Sequence, residues 1–104
     1  MIYEMRTYRM KVGSVPAYLK LVEEEGIAVQ RGHLGRLVGY FSSEIGSLNE
    51  IVHVWAYEDL ADRAARRARL AADPRWQEFL PKIQALIETM ENKILVPAAF
   101  SPLT

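Results

Sequence analysis

The chain has 104 residues, 50% of them hydrophobic, with 13 basic and 13 acidic side chains and no cysteine. That is enough for one domain and short for two, and a domain of this size hides roughly two-thirds of its extended-chain surface without needing a covalent staple. The composition excludes disulfides, thiolate metal sites and a cysteine nucleophile, and the balanced charge gives no global field for nucleic acid or an anionic membrane. No apolar run approaches the roughly 20 residues of a spanning helix. The start, Met1-Ile2-Tyr3-Glu4-Met5-Arg6, alternates like a strand and lacks the basic, then apolar pattern of a signal peptide. The chain therefore reads as a soluble, cytoplasmic protein with no membrane or nucleic-acid partner.

Residues Ile2 to Met10 form the first expected strand, with Tyr3, Met5 and Thr7 on one face and Glu4, Arg6 and Tyr8 on the other. After a turn at residues 11–14, Ser14 stands as a helix cap and Pro16 suits the first turn. Val15, Tyr18, Leu19 and Val22 recur at helical spacing. Gly26 weakens this helix, which extends towards Arg31, and residues 32–35 break it. Leu37 to Ser42 reads as strand two, and Glu44-Ile45-Gly46-Ser47 as a hairpin loop with Asn49 at its exit. Strand three, near Leu48 to Tyr57, aligns His53, Trp55 and Tyr57 on one face and Val52, Val54 and Ala56 on the other.

Asp59 is the expected cap of a second helix. Its buried stripe is expected to be Leu60, Ala64, Ala68 and Ala72, with Ala61, Ala65 and Leu70 near its edges, the arginines from 63 to 69 solvated and Arg63 alternatively within reach of Glu58 or Asp59. Asp73-Pro74 starts a third helix carrying Trp76, Phe79, Leu80 and Ile83, bent or shortened at Pro81. Residues 86–96 read as strand four, although Glu88 to Lys93 also has helical composition. Residues 98–104 form a tail that needs something to pack on. The order βαββα(α)β folds as an α+β, ferredoxin-like sandwich: one four-stranded antiparallel sheet, order 4-1-3-2, with helices on one face. The other face, with Tyr3, Met5, Val52, Val54 and Ala56, is too apolar to leave wet. A second copy laid sheet to sheet is the expected cover, making a homodimer.

Several segments together resemble the NIPSNAP family: Tyr3-Glu4-Met5-Arg6-Thr7-Tyr8, Gly39-Tyr40-Phe41, Glu44-Ile45-Gly46-Ser47-Leu48-Asn49, Val52-His53-Val54-Trp55-Ala56-Tyr57, Leu60-Ala61-Asp62-Arg63, Asp73-Pro74-Arg75-Trp76 and Glu91-Asn92-Lys93-Ile94-Leu95-Val96-Pro97. The resemblance covers nearly the whole chain and implies a dimeric α+β barrel of two ferredoxin-like subunits. Barrels related to that family include cofactor-free monooxygenases, haem-degrading enzymes and small dehydratases or isomerases, with the pocket between helices and sheet. Animal members are linked to mitochondria and vesicle traffic. The short start of this chain shows no targeting extension of that kind, so their location is not carried over.

On the pocket face so implied, the central strands place Arg6 and Tyr8 beside His53 and Trp55. A buried guanidinium needs a carboxylate or a ligand anion, and Glu4 shares its face. The functional reading gives Arg6 a ligand oxygen, His53 a proton to move, and Tyr8, Tyr40, Trp55 and Trp76 a flat ligand to contact. A structural reading stays open beside it, with His53 hydrogen-bonded and both tryptophans in the core. The ligand expected is small and partly aromatic or carbonyl-bearing, with cofactor-free oxygenase or isomerase chemistry as one outcome, a non-enzymatic interaction module as an alternative, and haem on His53 or His33 as a third. No metal site is expected, since the two histidines have neither HxH nor HExxH spacing.

Overall fold

Two strands of alternating character form the middle of the sheet. In a computed structural model that describes residues 1–103, they are β1 (Ile2–Met10) and β3 (Glu50–Tyr57). Thr104, the last residue of the expected tail, lies outside the described residues. The remaining elements are α1 (Val15–Leu21), a π-helical segment (Val22–Gly26), α2 (Ile27–Leu34), β2 (Arg36–Ser42), α3 (Leu60–Ala72), α4 (Pro74–Gln84) and β4 (Ile87–Leu95). The antiparallel sheet runs β2-β3-β1-β4, which is the expected order read from the other edge. The stretch from Glu88 to Lys93 is strand, because β4 pairs with β1 from Tyr3 to Met10.

The pleat sorts the side chains into two layers. Ile51, His53, Trp55 and Tyr57 of β3 are at most 1% exposed and lie under the helices. Ile51, Trp55 and Tyr57 join Met10, Tyr18, Leu34, Leu70, Phe79 and Ile83 in one core. On the opposite face Met5, Val52 and Val54 are half-buried, whereas Tyr3 and Ala56 are already buried within the single chain. The chain's own tail contributes, since Pro97, Ser101 and Leu103 line a cleft with Tyr3, Val38, Phe41 and Val54. No helix among the described residues is long and apolar enough to cross a membrane.

Several local expectations are corrected. Ser14 does not cap α1: its hydroxyl donates to the Lys11 carbonyl at 2.7 Å, so no oxygen reaches a free helix N–H. The helix does not break at Gly32. It continues to Leu34 and ends where Gly35 adopts φ 84°, a left-handed conformation that glycine accepts at no steric cost. Gly26 is required by packing, since a Cβ there would sit 2.5 Å from the buried Phe79 ring. Pro81 does not stop α4, which runs on to Gln84. Its missing N–H frees the Gln77 carbonyl, and Gln77 is on the solvent side where water can replace the bond. Asp59 does cap α3, its Oδ1 accepting from the Asp62 N–H at 2.7 Å.

The largest correction concerns α3, whose expected stripe faces outward. Leu60, Ala64, Ala68 and Ala72 are exposed, while Arg63, Arg66 and Arg67 are turned inward and half-buried. The reason is a buried carboxylate. Glu4 on β1 is 0% exposed, and an unpaired charge there would cost more than burying one leucine and three alanines returns.

Candidate functional site

Strand register assembles the polar cluster. Arg6 stands between His53 of β3 and Asn92 of β4, and Glu4 between Trp55 and Ile94. Glu4 Oε2 accepts from Arg63 Nε at 2.9 Å and from its second nitrogen at 2.5 Å, from Asn92 Nδ2 at 2.7 Å and from Arg6 at 3.4 Å. Arg67 lies 3.8 Å from Glu4 Oε1. Burial pushes the Glu4 carboxyl up, but the Arg63 and Asn92 hydrogen bonds and the charges of Arg6 and Arg67 outweigh it and hold the group below its ordinary value. One carboxylate thus faces three guanidiniums, which leaves positive charge in excess around it.

Beside this cluster the aromatic side chains hold one another. Arg6 Nε donates to the Tyr8 hydroxyl at 2.9 Å, which leaves the phenol proton free for another acceptor. The Tyr18 and Tyr40 hydroxyls are 2.5 Å apart. Tyr40 stacks on His53 with ring centres 4.5 Å apart, and Tyr8 meets the same imidazole edge-on at 5.0 Å. Trp55 Nε1 donates to His53 Nδ1 at 2.7 Å, which puts the histidine's proton on Nε2. Burial first, and then the Arg6 charge, pushes His53 down to about 3, so it is neutral near pH 7. A cavity of about 210 Å³ opens between sheet and helices, lined on its polar side by Arg6, Arg67, Gln30, Tyr8 and Tyr18 and on its apolar side by Trp76, Ile83, Ile87 and Met90.

Comparison with known proteins bears on this arrangement. The NIPSNAP family pattern matches residues 3–102. The chain belongs to the NIPSNAP family. It is 35% identical over 96 residues to the NipSnap homologue of Dictyostelium discoideum, covering 92% of this chain and 42% of that protein. The chain thus spans less than half the length of that relative. A NIPSNAP family protein of unknown function from Agrobacterium tumefaciens superposes with a TM-score of 0.98 at 68% identity, covering 100% of this chain and 94% of that one. A putative antibiotic biosynthesis monooxygenase from Nitrosomonas europaea superposes at a TM-score of 0.68 with 13% identity, covering 93% and 98% of the two chains, which shows a shared fold.

In this NIPSNAP domain the six side chains singled out in the sequence separate into two groups. Arg6, Tyr8 and Trp76 line the cavity. His53, Trp55 and Tyr40 do not; they form the packed layer behind its wall. Tyr40 reaches the helix side only because β2 carries a bulge between Leu37 and Gly39, which shifts its alternation by one residue. The cavity also gathers Arg67, Gln30 and Tyr18, which the sequence reading did not single out. Gln30 is 7% exposed, and among the described residues its amide has no hydrogen-bond partner. Asn92 was legible in principle, being opposite Arg6 once strand four is in register. A haem reading does not fit. His53 is sealed in the core, and His33 Nε2 is engaged by Asp73 at 2.8 Å and does not line the cavity. Among the described residues no group of three metal-ligating side chains comes together.

Proposed function

We propose that this domain binds a small organic anion, partly aromatic or carbonyl-bearing, in the cavity between sheet and helices. The observation that carries the reading is the excess charge: Arg6 and Arg67 line the cavity, and the buried carboxylate beside them, Glu4, is shared with Arg63 and Asn92. A ligand carboxylate or enolate oxygen would complete the pairing. The Tyr8 hydroxyl and the Gln30 amide supply two further hydrogen bonds, and Trp76 and Ile83 receive the apolar part. A cavity of about 210 Å³ suits a single-ring acid, since roughly 150 Å³ of apolar space holds benzene.

His53 supports this reading as a positioning residue. Its neutral ring, fixed by Trp55 and stacked on Tyr40, holds the wall against which Tyr8 and Arg6 rest. That favours binding over proton transfer by His53 itself. Oxygenase or isomerase chemistry on the bound enolate would fall to the groups that touch the cavity, with Tyr8 as the proton donor. Two copies pairing through the open sheet face, and cytoplasmic residence, belong to the same proposal. The first is supported by exposed Phe41, Val38 and Leu95 beside half-buried Val54, the second by a chain without cysteine.

The test is calorimetric titration with benzoate, phenylacetate and acetoacetate, repeated on Arg67→Met. Charge-assisted hydrogen bonds of about 1.5–3 kcal/mol imply a loss of about ten- to a hundredfold in affinity for the variant. Equal affinity of the folded variant for all three, or no binding by the wild-type protein, would refute the reading.

A further inference from the structure

A second cavity, of about 340 Å³, lies against the first and opens to the surface between α1, α2 and β2, lined by Leu19, Ile27, Leu37, Tyr40 and Val22 together with the solvent-exposed Glu23. Val22 also lines the inner cavity, and so does Tyr18, whose hydroxyl bonds that of Tyr40 on the outer side. Val22 and the Tyr18–Tyr40 pair are thus common to the two cavities. The backbone carrying Val22 is the start of the π-helical segment, where the Ile27 N–H reaches back five residues to the Val22 carbonyl. Such a turn is wider and less regularly bonded than an α-helical one, and π-bulges recur at functional sites.

We infer that the two cavities form one site for an amphipathic anion, a medium-chain carboxylic acid, whose head lies by Arg6 and Arg67 and whose aliphatic tail passes Val22 into the outer groove. This rests on the anion-binding reading above and extends it to the ligand's class. The inner cavity, of about 210 Å³, accommodates the carboxylate and about six carbons, judged against the roughly 150 Å³ that holds benzene. Longer chains must leave it. The route past Val22 continues an apolar lining, whereas the polar side of the inner cavity is closed to a tail by Arg6, Arg67 and Gln30. Leu19, Ile27 and Leu37 are half-buried, so the groove offers an apolar floor to a tail that arrives from inside.

The experiment titrates the full chain with the straight-chain acids from butanoate to decanoate. Affinity is expected to keep rising by about fourfold per methylene from heptanoate to decanoate, the factor that about 0.8 kcal/mol per buried CH₂ implies. Ile27→Asp, placed in the outer groove and outside the inner cavity, is expected to abolish that gain. Heptanoate binding with no tighter binding of decanoate would overturn the inference and leave the anion reading intact. Retention of the full chain-length gain by folded Ile27→Asp would overturn it as well. Failure of every acid in the series to bind would remove the anion reading and this inference with it.

Discussion

Replacing Glu4 by Gln tests the cluster from which the site is built. The substitution preserves shape and removes the charge that Arg63, Asn92, Arg6 and Arg67 converge on. Breaking a buried pair from one side costs about 3–5 kcal/mol. Here the arginine partners are partly solvated, with side-chain exposures of 12%, 24% and 33% for Arg6, Arg63 and Arg67, so the expected loss is nearer the low end, about 3 kcal/mol. For a domain of this size that is a fall in Tm of roughly 15 °C. Urea unfolding at one fixed protein concentration, at pH 7, measures it. The pH dependence supplies a second arm. The folded Glu4 has a pKa below its ordinary 4.5, so its contribution is complete above about that pH and is lost as pH falls through the folded value. E4Q should therefore lack part of the acid limb of the wild-type profile. A variant within about 0.5 kcal/mol of wild type, with an unchanged acid limb, would refute the claim that this carboxylate orients α3.

Three further outcomes follow from other contacts. His53 is buried neutral, so its contribution is complete above its unfolded value of 6.5 and declines as pH falls towards about 3; His53→Gln should flatten the stability profile between pH 5 and 6.5, read by urea midpoints, and a wild-type profile already flat there would contradict the assignment. Gly26→Ala should destabilise by about 1–2 kcal/mol despite a better helix residue, because its Cβ meets Phe79 at 2.5 Å, and Phe79→Leu in the same chain should recover most of the loss in thermal unfolding. Val54→Lys, on the open sheet face, should shift the sedimentation coefficient from dimer to monomer at micromolar concentration; a wild-type chain that sediments as a monomer would remove that pairing.

Period-two alternation makes β1 and β3 legible, and with them the face shared by Glu4, Arg6, Tyr8, His53 and Trp55. Nothing in that alternation reveals a bulge, so the direction of Tyr40 is hidden until β2 is seen against β3. The orientation of α3 is hidden for a different reason. An alanine stripe and an arginine stripe of similar width compete for the sheet, and the outcome depends on a carboxylate more than fifty residues away in sequence. Reading Glu4 as a buried charge in need of several donors, rather than as a partner for Arg6 alone, is the signal that points to the arginine side. Gln30 carries no such signal. It is polar within a short helix, and only the packing around it shows that it faces the cavity.

The π-helical segment also has a consequence for how the length of this chain can vary. An α-helix turns about 100° per residue, so one residue added or removed changes the phase of everything beyond it. Residues 22–26 hold such an added residue, which sets the azimuth of Val29 and Gln30 against that of Tyr18. Deleting one of Glu23, Glu24 or Glu25, all solvent-exposed, removes no buried contact of its own. It would nevertheless restore regular winding and turn Gln30 away from the cavity while Tyr18 stayed in place. An apparently harmless length change in a surface stretch of glutamates would then act as a change of binding site.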